Sequence, residues 1–146
     1  MAATPDRTLV RRSPWALHPF HAVLLAGTVP LFLGALLTDI AYAKTYQIQW
    51  TNFASWLIVA GLVFTGVVLV LALVDLFRAD RRGARQVFYM VVLAAVGILG
   101  VVNALVHSKD AWAVMPEGLV LSAIVFALVC MATWLGFSRV RDGGMA

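Results

Sequence analysis

Residues 18–41 read HPFHAVLLAGTVPLFLGALLTDIA: two histidines open an apolar run, and a lone aspartate, Asp39, stands near its far end. Proline is tolerated in the first turn of a helix and disfavours helix in the residue before it, so His18 is the expected cap and Pro19 the first turn. From His18 to Ala41 the run is long enough, at about 1.5 Å per residue, to cross a hydrocarbon core of ~30 Å. This is a membrane span. Pro30, with Gly27 and Gly34 around it, predicts a kink whose freed carbonyl a neighbouring helix would have to cover. Arginines, an apolar run and Ala41-Tyr42-Ala43 also resemble a secretory signal peptide. Pro30 within the apolar region, Asp39 beside the cleavage position and the histidines ahead of it weigh against that. The span is expected to be retained.

Three more apolar segments follow, at about 50–77, 86–107 and 116–137, separated by a charged loop at 78–85 and a short loop at 108–115. The chain is 62% hydrophobic and 12% charged, where soluble domains run near one half and one quarter. That leaves too little polar surface to dress a soluble globule. The expected fold class is all-α: an integral membrane four-helix transmembrane bundle over 17–137, with a polar leader at 1–16 and a tail at 138–146. The net charge of +4 comes from arginines that flank the apolar segments. That pattern sets membrane orientation and implies no nucleic-acid partner. Leader, middle loop and tail hold nine of the eleven Lys and Arg residues, which places both termini in the cytoplasm. Trp15, Phe88, Tyr89 and Trp134 then mark the inner interface, and Tyr42, Tyr46, Trp50 and Trp112 the outer. Cys130 is the only cysteine, so there is no intrachain disulfide.

In lipid, small and polar side chains mark the packed faces of helices. At 100° per residue His21, Leu25, Thr28, Phe32, Ala35 and Asp39 share one stripe of the first helix, with His18 at its lip. Asn103, His107 and Asp110 share a face of the third if the helix persists that far. Ser122, Phe126, Cys130 and Thr133 line one side of the fourth, with Cys130 a small buried core residue. Antiparallel packing then predicts an outer polar cluster of Asp39, Asn52, Asn103 and His107, with Glu117 at its edge. An inner cluster would hold His18, His21 and Asp75, the last paired with Arg78. The candidate functional polar groups are His18, His21, Asp39, Asn103, His107 and Asp110. Asp39 and His107 read either as a structural pair or as a proton or substrate site. His107 lies on the opposite side of the bilayer from His18 and His21, so no haem can be ligated by both sides within one copy. A haem on one histidine, or shared between copies, stays open, as does a quinone. His18 and His21 lack a clear third ligand at their depth, and no metal site is assigned. No nucleophile–base pair, phosphate loop or redox cysteine pair is present, so no catalytic residue is assigned.

His18-Pro19-Phe20-His21, the run to Thr38-Asp39, the Trp56 region, and Asn103, His107 and Asp110 before Pro116-Glu117-Gly118 resemble a four-helix bacterial membrane family. It is catalogued as domain of unknown function 2231, and the likeness covers about Leu17 to Phe137. The family motif favours a proline after the second histidine, where Ala22 stands here. The resemblance implies a multi-pass protein of the bacterial inner membrane. Relatives found beside or fused to quinoprotein sugar dehydrogenases and Rieske-like domains imply an association with redox enzymes.

Three readings follow. In the first, the chain is a non-enzymatic anchor or accessory subunit for a dehydrogenase or quinone-linked partner. In the second, it is a small transporter or proton-conducting bundle acting as a homo-oligomer, because four spans enclose little pathway alone. In the third, its polar groups only fix helix packing within the lipid bilayer.

Overall fold

The computed structural model describes residues 18–78 and 83–142, except the side chains of Arg78 and of residues 139–142. The leader with Trp15, the Asp80–Arg82 stretch and the end of the tail therefore lie outside the described residues, as does any ion pair made by Arg78. Four helices make up the fold: α1 (Pro19–Thr45), α2 (Ile48–Arg78), α3 (Ala84–His107) and α4 (Glu117–Asp142), with one 3-10 turn at Ala111–Ala113. All four are long and apolar enough to cross a membrane.

Local chemistry sets their ends. His18 caps α1 through its ring, Nδ1 accepting from the Phe20 N–H at 3.3 Å. At the other end Tyr46 adopts a left-handed conformation, φ 52°, and its N–H bonds to the Tyr42 carbonyl at 2.8 Å. The helix runs unbroken through Pro30. Pro30 and Ala26, whose carbonyl it frees, both lie on the exposed face. The buried stripe passes through Thr28 and Phe32 instead.

Each helix packs on two others, in the closed order α1–α2–α3–α4. Register can be read from close approaches. Gly27 lies against Phe64 and Gly34 against Leu57, so α1 and α2 are antiparallel. Leu25 meets Gly136 while Asp39 meets Ser122, 14 residues on along α1 and 14 back along α4. His107 meets Gly118 while Tyr89 meets Gly136, 18 residues back along α3 and 18 on along α4. The bundle is up-down-up-down, with α1 and α3 parallel across its diagonal.

The stripe expected on α1 is the buried one, from His21 to Asp39, and Tyr42 extends it by a turn. The surface is apolar, with Val23, Leu37, Val63, Val70, Ile98 and Leu105 all exposed. The interior by contrast holds His21, Asp39, Asn103, His107 and Ser122. Apolar outside and polar within is the arrangement a bilayer stabilises.

Between its ends the interior is filled. Phe32, Val96, Val125 and Val129 form one cluster, and Leu25, Val68, Ala72, Tyr89, Val92, Leu93 and Ala132 another. A Cβ on Gly61 would lie 2.7 Å from the Phe32 ring, so glycine is what lets that ring rest on the α2 backbone. Thr28 and Thr65 return their hydroxyls to the carbonyls of Leu25 and Gly61, at 2.6 and 2.8 Å. Their polarity is used within their own helices. The middle of the bundle is packed with apolar side chains.

On α4 the structure corrects the expected face. Ser122 is buried, but the stripe continues through Val125, Val129 and Ala132, leaving Cys130 exposed and Phe126 and Thr133 half-buried. Cys130 is thus no core residue. It lines an apolar groove with Val29, Trp134 and Phe137. Valines and an alanine pack as well as a cysteine, and α4's contacts with α1 and α3 select the former.

Candidate functional site

Asp39 lies on the last turns of α1 and is wholly buried. Its carboxylate reaches two other helices. His107 Nε2, from the last turn of α3, stands 2.8 Å from Oδ1, and the Ser122 hydroxyl of α4 donates to Oδ2 at 2.5 Å. Ser122 in turn accepts from the Asn103 side-chain nitrogen at 2.9 Å, and His107 Nδ1 donates to the Asn103 carbonyl at 3.0 Å. The result is a closed ring, Asn103–Ser122–Asp39–His107–Asn103, across three helices. Gly118 makes room for it: a Cβ there would sit 3.0 Å from the imidazole edge.

The ring fixes its own protons. A backbone carbonyl only accepts, so Nδ1 of His107 carries hydrogen. One proton then remains between Nε2 and Oδ1, making the couple either imidazolium–carboxylate or imidazole–carboxylic acid. Because the Ser122 hydroxyl is committed to Asp39, it must accept from the Asn103 amide nitrogen, which settles that amide's orientation. Asn103 Oδ1 is left buried with no partner among the described residues.

The pair itself is sealed: neither the imidazole nor the carboxylate has exposed side-chain surface. His107 is 7% exposed as a residue, through its backbone, and there it borders a groove of about 410 Å³ with Thr51, Asn52, Ser55, Lys109 and Asp110. Above it, Tyr42 donates to the Ala111 carbonyl at 2.9 Å, and Tyr46 stacks on Trp112 with centroids 5.8 Å apart. These contacts hold the 3-10 turn over the end of the bundle.

The second diagonal tie is at the other end. His21 Nε2 is 3.0 Å from the Tyr89 hydroxyl, both buried. His21 to Asp39 and Tyr89 to His107 are each 18 residues, five helical turns, so the two ties face the same way about 27 Å apart. Tyr89→Phe removes the hydroxyl and keeps the ring; it is expected to lower stability by about 1 kcal/mol, read as a small fall of the thermal midpoint in detergent.

The structure thus brings together three of the six candidates: Asp39, Asn103 and His107. His21 belongs to the far tie. His18 is exposed and caps its own helix, and Asp75 is exposed on α2, so the inner cluster of the three is not formed. Asp110 does not share the Asn103 face, because α3 ends at His107 and the Ser108 N–H closes it onto the Ala104 carbonyl. Asn52 and Glu117 are exposed, and Asn52 borders the groove rather than the ring. Ser122 was legible as inward-facing but not as a partner of Asp39. Tyr42 and Tyr89, expected in the interfacial belts, are buried because each hydroxyl finds an acceptor or partner inside. Among the described residues no three His, Cys, Asp or Glu side chains gather as metal ligands.

No curated protein and no solved structure is similar enough to match this chain. A family model described as a predicted membrane protein, DUF2231, matches residues 17–146. With four apolar helices spanning that match, the chain belongs to the DUF2231 family of membrane proteins.

Proposed function

We propose that this multi-pass membrane protein is a non-enzymatic accessory subunit of a redox partner, with the Asp39–His107 couple as its proton-handling group. One observation carries the reading: His107 Nε2 and Asp39 Oδ1, both buried, lie 2.8 Å apart, so that one proton between them serves both groups, and the backbone of His107 borders a polar groove. Ionisable groups in a span are costly and therefore functional candidates. An enzyme that oxidises or reduces an organic carrier such as a quinone must release or take up protons at the membrane. An imidazole–carboxyl couple buried just beneath a groove suits that exchange.

The conducting alternative needs a path between the two ties. Leu25, Phe32, Val96 and Val129 occupy that space, so conduction would require a route between copies. A haem on His107 would displace a bond of the ring, since both its nitrogens are engaged. The accessory reading uses no haem. The purely structural reading is supported by closure of the ring, and it shares every residue with the first.

Gentle detergent extraction from the native membrane tests the accessory role. A dehydrogenase or quinone-linked enzyme should co-purify, and membranes lacking this protein should lose its dye-linked activity. Full activity in those membranes would contradict the proposal. The reading also places the bacterial inner membrane around the bundle with both termini cytoplasmic. In a Cys130→Ser background, cysteines at Ala3 and Ala146 should resist an impermeant thiol reagent in intact cells while one at Thr45 reacts. Labelling of either terminus would reverse the orientation.

A further inference from the structure

We propose that the groove between α1 and α4 holds an acyl chain of one anionic phospholipid, whose phosphate lies at Arg85. The groove encloses about 390 Å³ and is lined by Val29 of α1 and by Cys130, Thr133, Trp134, Phe137 and Ser138 of α4. Ligand pockets run from about 300 to 1,000 Å³. From Cys130 to Ser138 it follows α4 for about 12 Å at the helical rise, from the middle of that helix toward its C-terminal end. Cys130 and Trp134 are exposed, so the groove opens toward lipid.

Its walls suit hydrocarbon. Thr133 and Ser138 return their hydroxyls to the carbonyls of Val129 and Leu135, at 2.8 and 3.0 Å. Their polar hydrogens are used within their own helix, and a free cysteine packs as a small hydrophobe. What faces the groove is alkyl and aromatic.

Its mouth suits an anion. Arg85, from the first turn of α3, reaches across to α4 and donates from Nη2 to Ser138 Oγ at 2.6 Å. That contact puts a guanidinium at the end of the groove, and the guanidinium fork matches phosphate oxygens. The segments that meet at this end of the bundle, 1–17, 75–85 and 138–146, carry nine arginines against Asp6, Asp75, Asp80 and Asp142, a surplus of five positive charges. An ammonium headgroup would enter that field at a cost, and an anionic one would not. Trp134 is 69% exposed one turn further in, and its ring is of the kind that settles near headgroups. A second copy lying alongside in the same orientation would bring the same surplus of arginines and be repelled. The amphiphile that fits is a chain with a negative head.

The test uses full-length protein in nanodiscs of equal parts phosphatidylglycerol, phosphatidylethanolamine and phosphatidylcholine, with retained lipid counted by native mass spectrometry. Phosphatidylglycerol should be retained about tenfold over each of the others, the effect of one charge-assisted hydrogen bond. Arg85→Gln, at an exposed position, should abolish that preference without moving the thermal midpoint. Cys130→Trp fills the groove with a ring and should lower phosphatidylglycerol retention just as far, although Arg85 is intact. Equal retention of the three lipids by the wild type overturns the proposal. Undiminished retention by Cys130→Trp also overturns it, since charge at the surface would then act without the groove. An intermolecular disulfide through Cys130, formed by a thiol oxidant in native membranes, would put a second copy in the groove and overturn it as well.

Discussion

Replacing Asp39 by alanine is expected to destabilise the bundle by about 3–5 kcal/mol, the cost of removing one member of a buried, hydrogen-bonded pair. The reason is the closure of the ring. Without the carboxylate, Ser122 loses its acceptor and His107 Nε2 its partner, both in a site where water cannot substitute freely. Asparagine should behave differently. Its oxygen can accept from Ser122 and its nitrogen can donate to an unprotonated Nε2, while Nδ1 keeps its bond to the Asn103 carbonyl. Asp39→Asn therefore reproduces the neutral form of the couple and should cost no more than about 1 kcal/mol. It cannot give up or take the shared proton. The two variants separate packing from proton handling, and thermal midpoints in detergent read the difference.

The second large effect is expected at Phe32. Its ring is 1% exposed and rests against Gly61 in the middle of the bundle. Phe32→Ala should cost about 3–5 kcal/mol, through lost burial and the cavity left behind. Gly61→Ala in the same background should recover part of that loss, because the new methyl group enters the space the ring vacated. An additive result for the double variant would show that the two residues do not share the contact.

How much of this was legible depended on what each residue could reveal alone. The α1 stripe was readable because its polar members, His21, Thr28 and Asp39, recur on one face of an otherwise apolar helix. The same logic failed on α4. There the choice lay between Val125–Val129–Ala132 and Phe126–Cys130–Thr133, and in lipid an apolar side chain is equally at home inside or outside. Tyr42 and Tyr89 were read as belt residues because a tyrosine near a span end suits both roles. Only the Ala111 carbonyl and the His21 ring, 69 and 68 residues distant, decide between them. Asp110 was misplaced because no glycine or proline marks the stop of α3, which occurs at Ser108 three residues after Leu105. The Asp39–His107 pair was foreseeable from antiparallel depth alone. The part played by Ser122 was not, since it requires the register of three helices at once.

The accessory reading rests on the shared proton, so its most direct test is the partner-linked electron-transfer rate of native membranes carrying Asp39→Asn at wild-type abundance. The account predicts a fall of about tenfold or more, in the range seen when a positioned acid–base group is lost, with the bundle still folded. An unchanged rate would contradict it and leave the ring as packing.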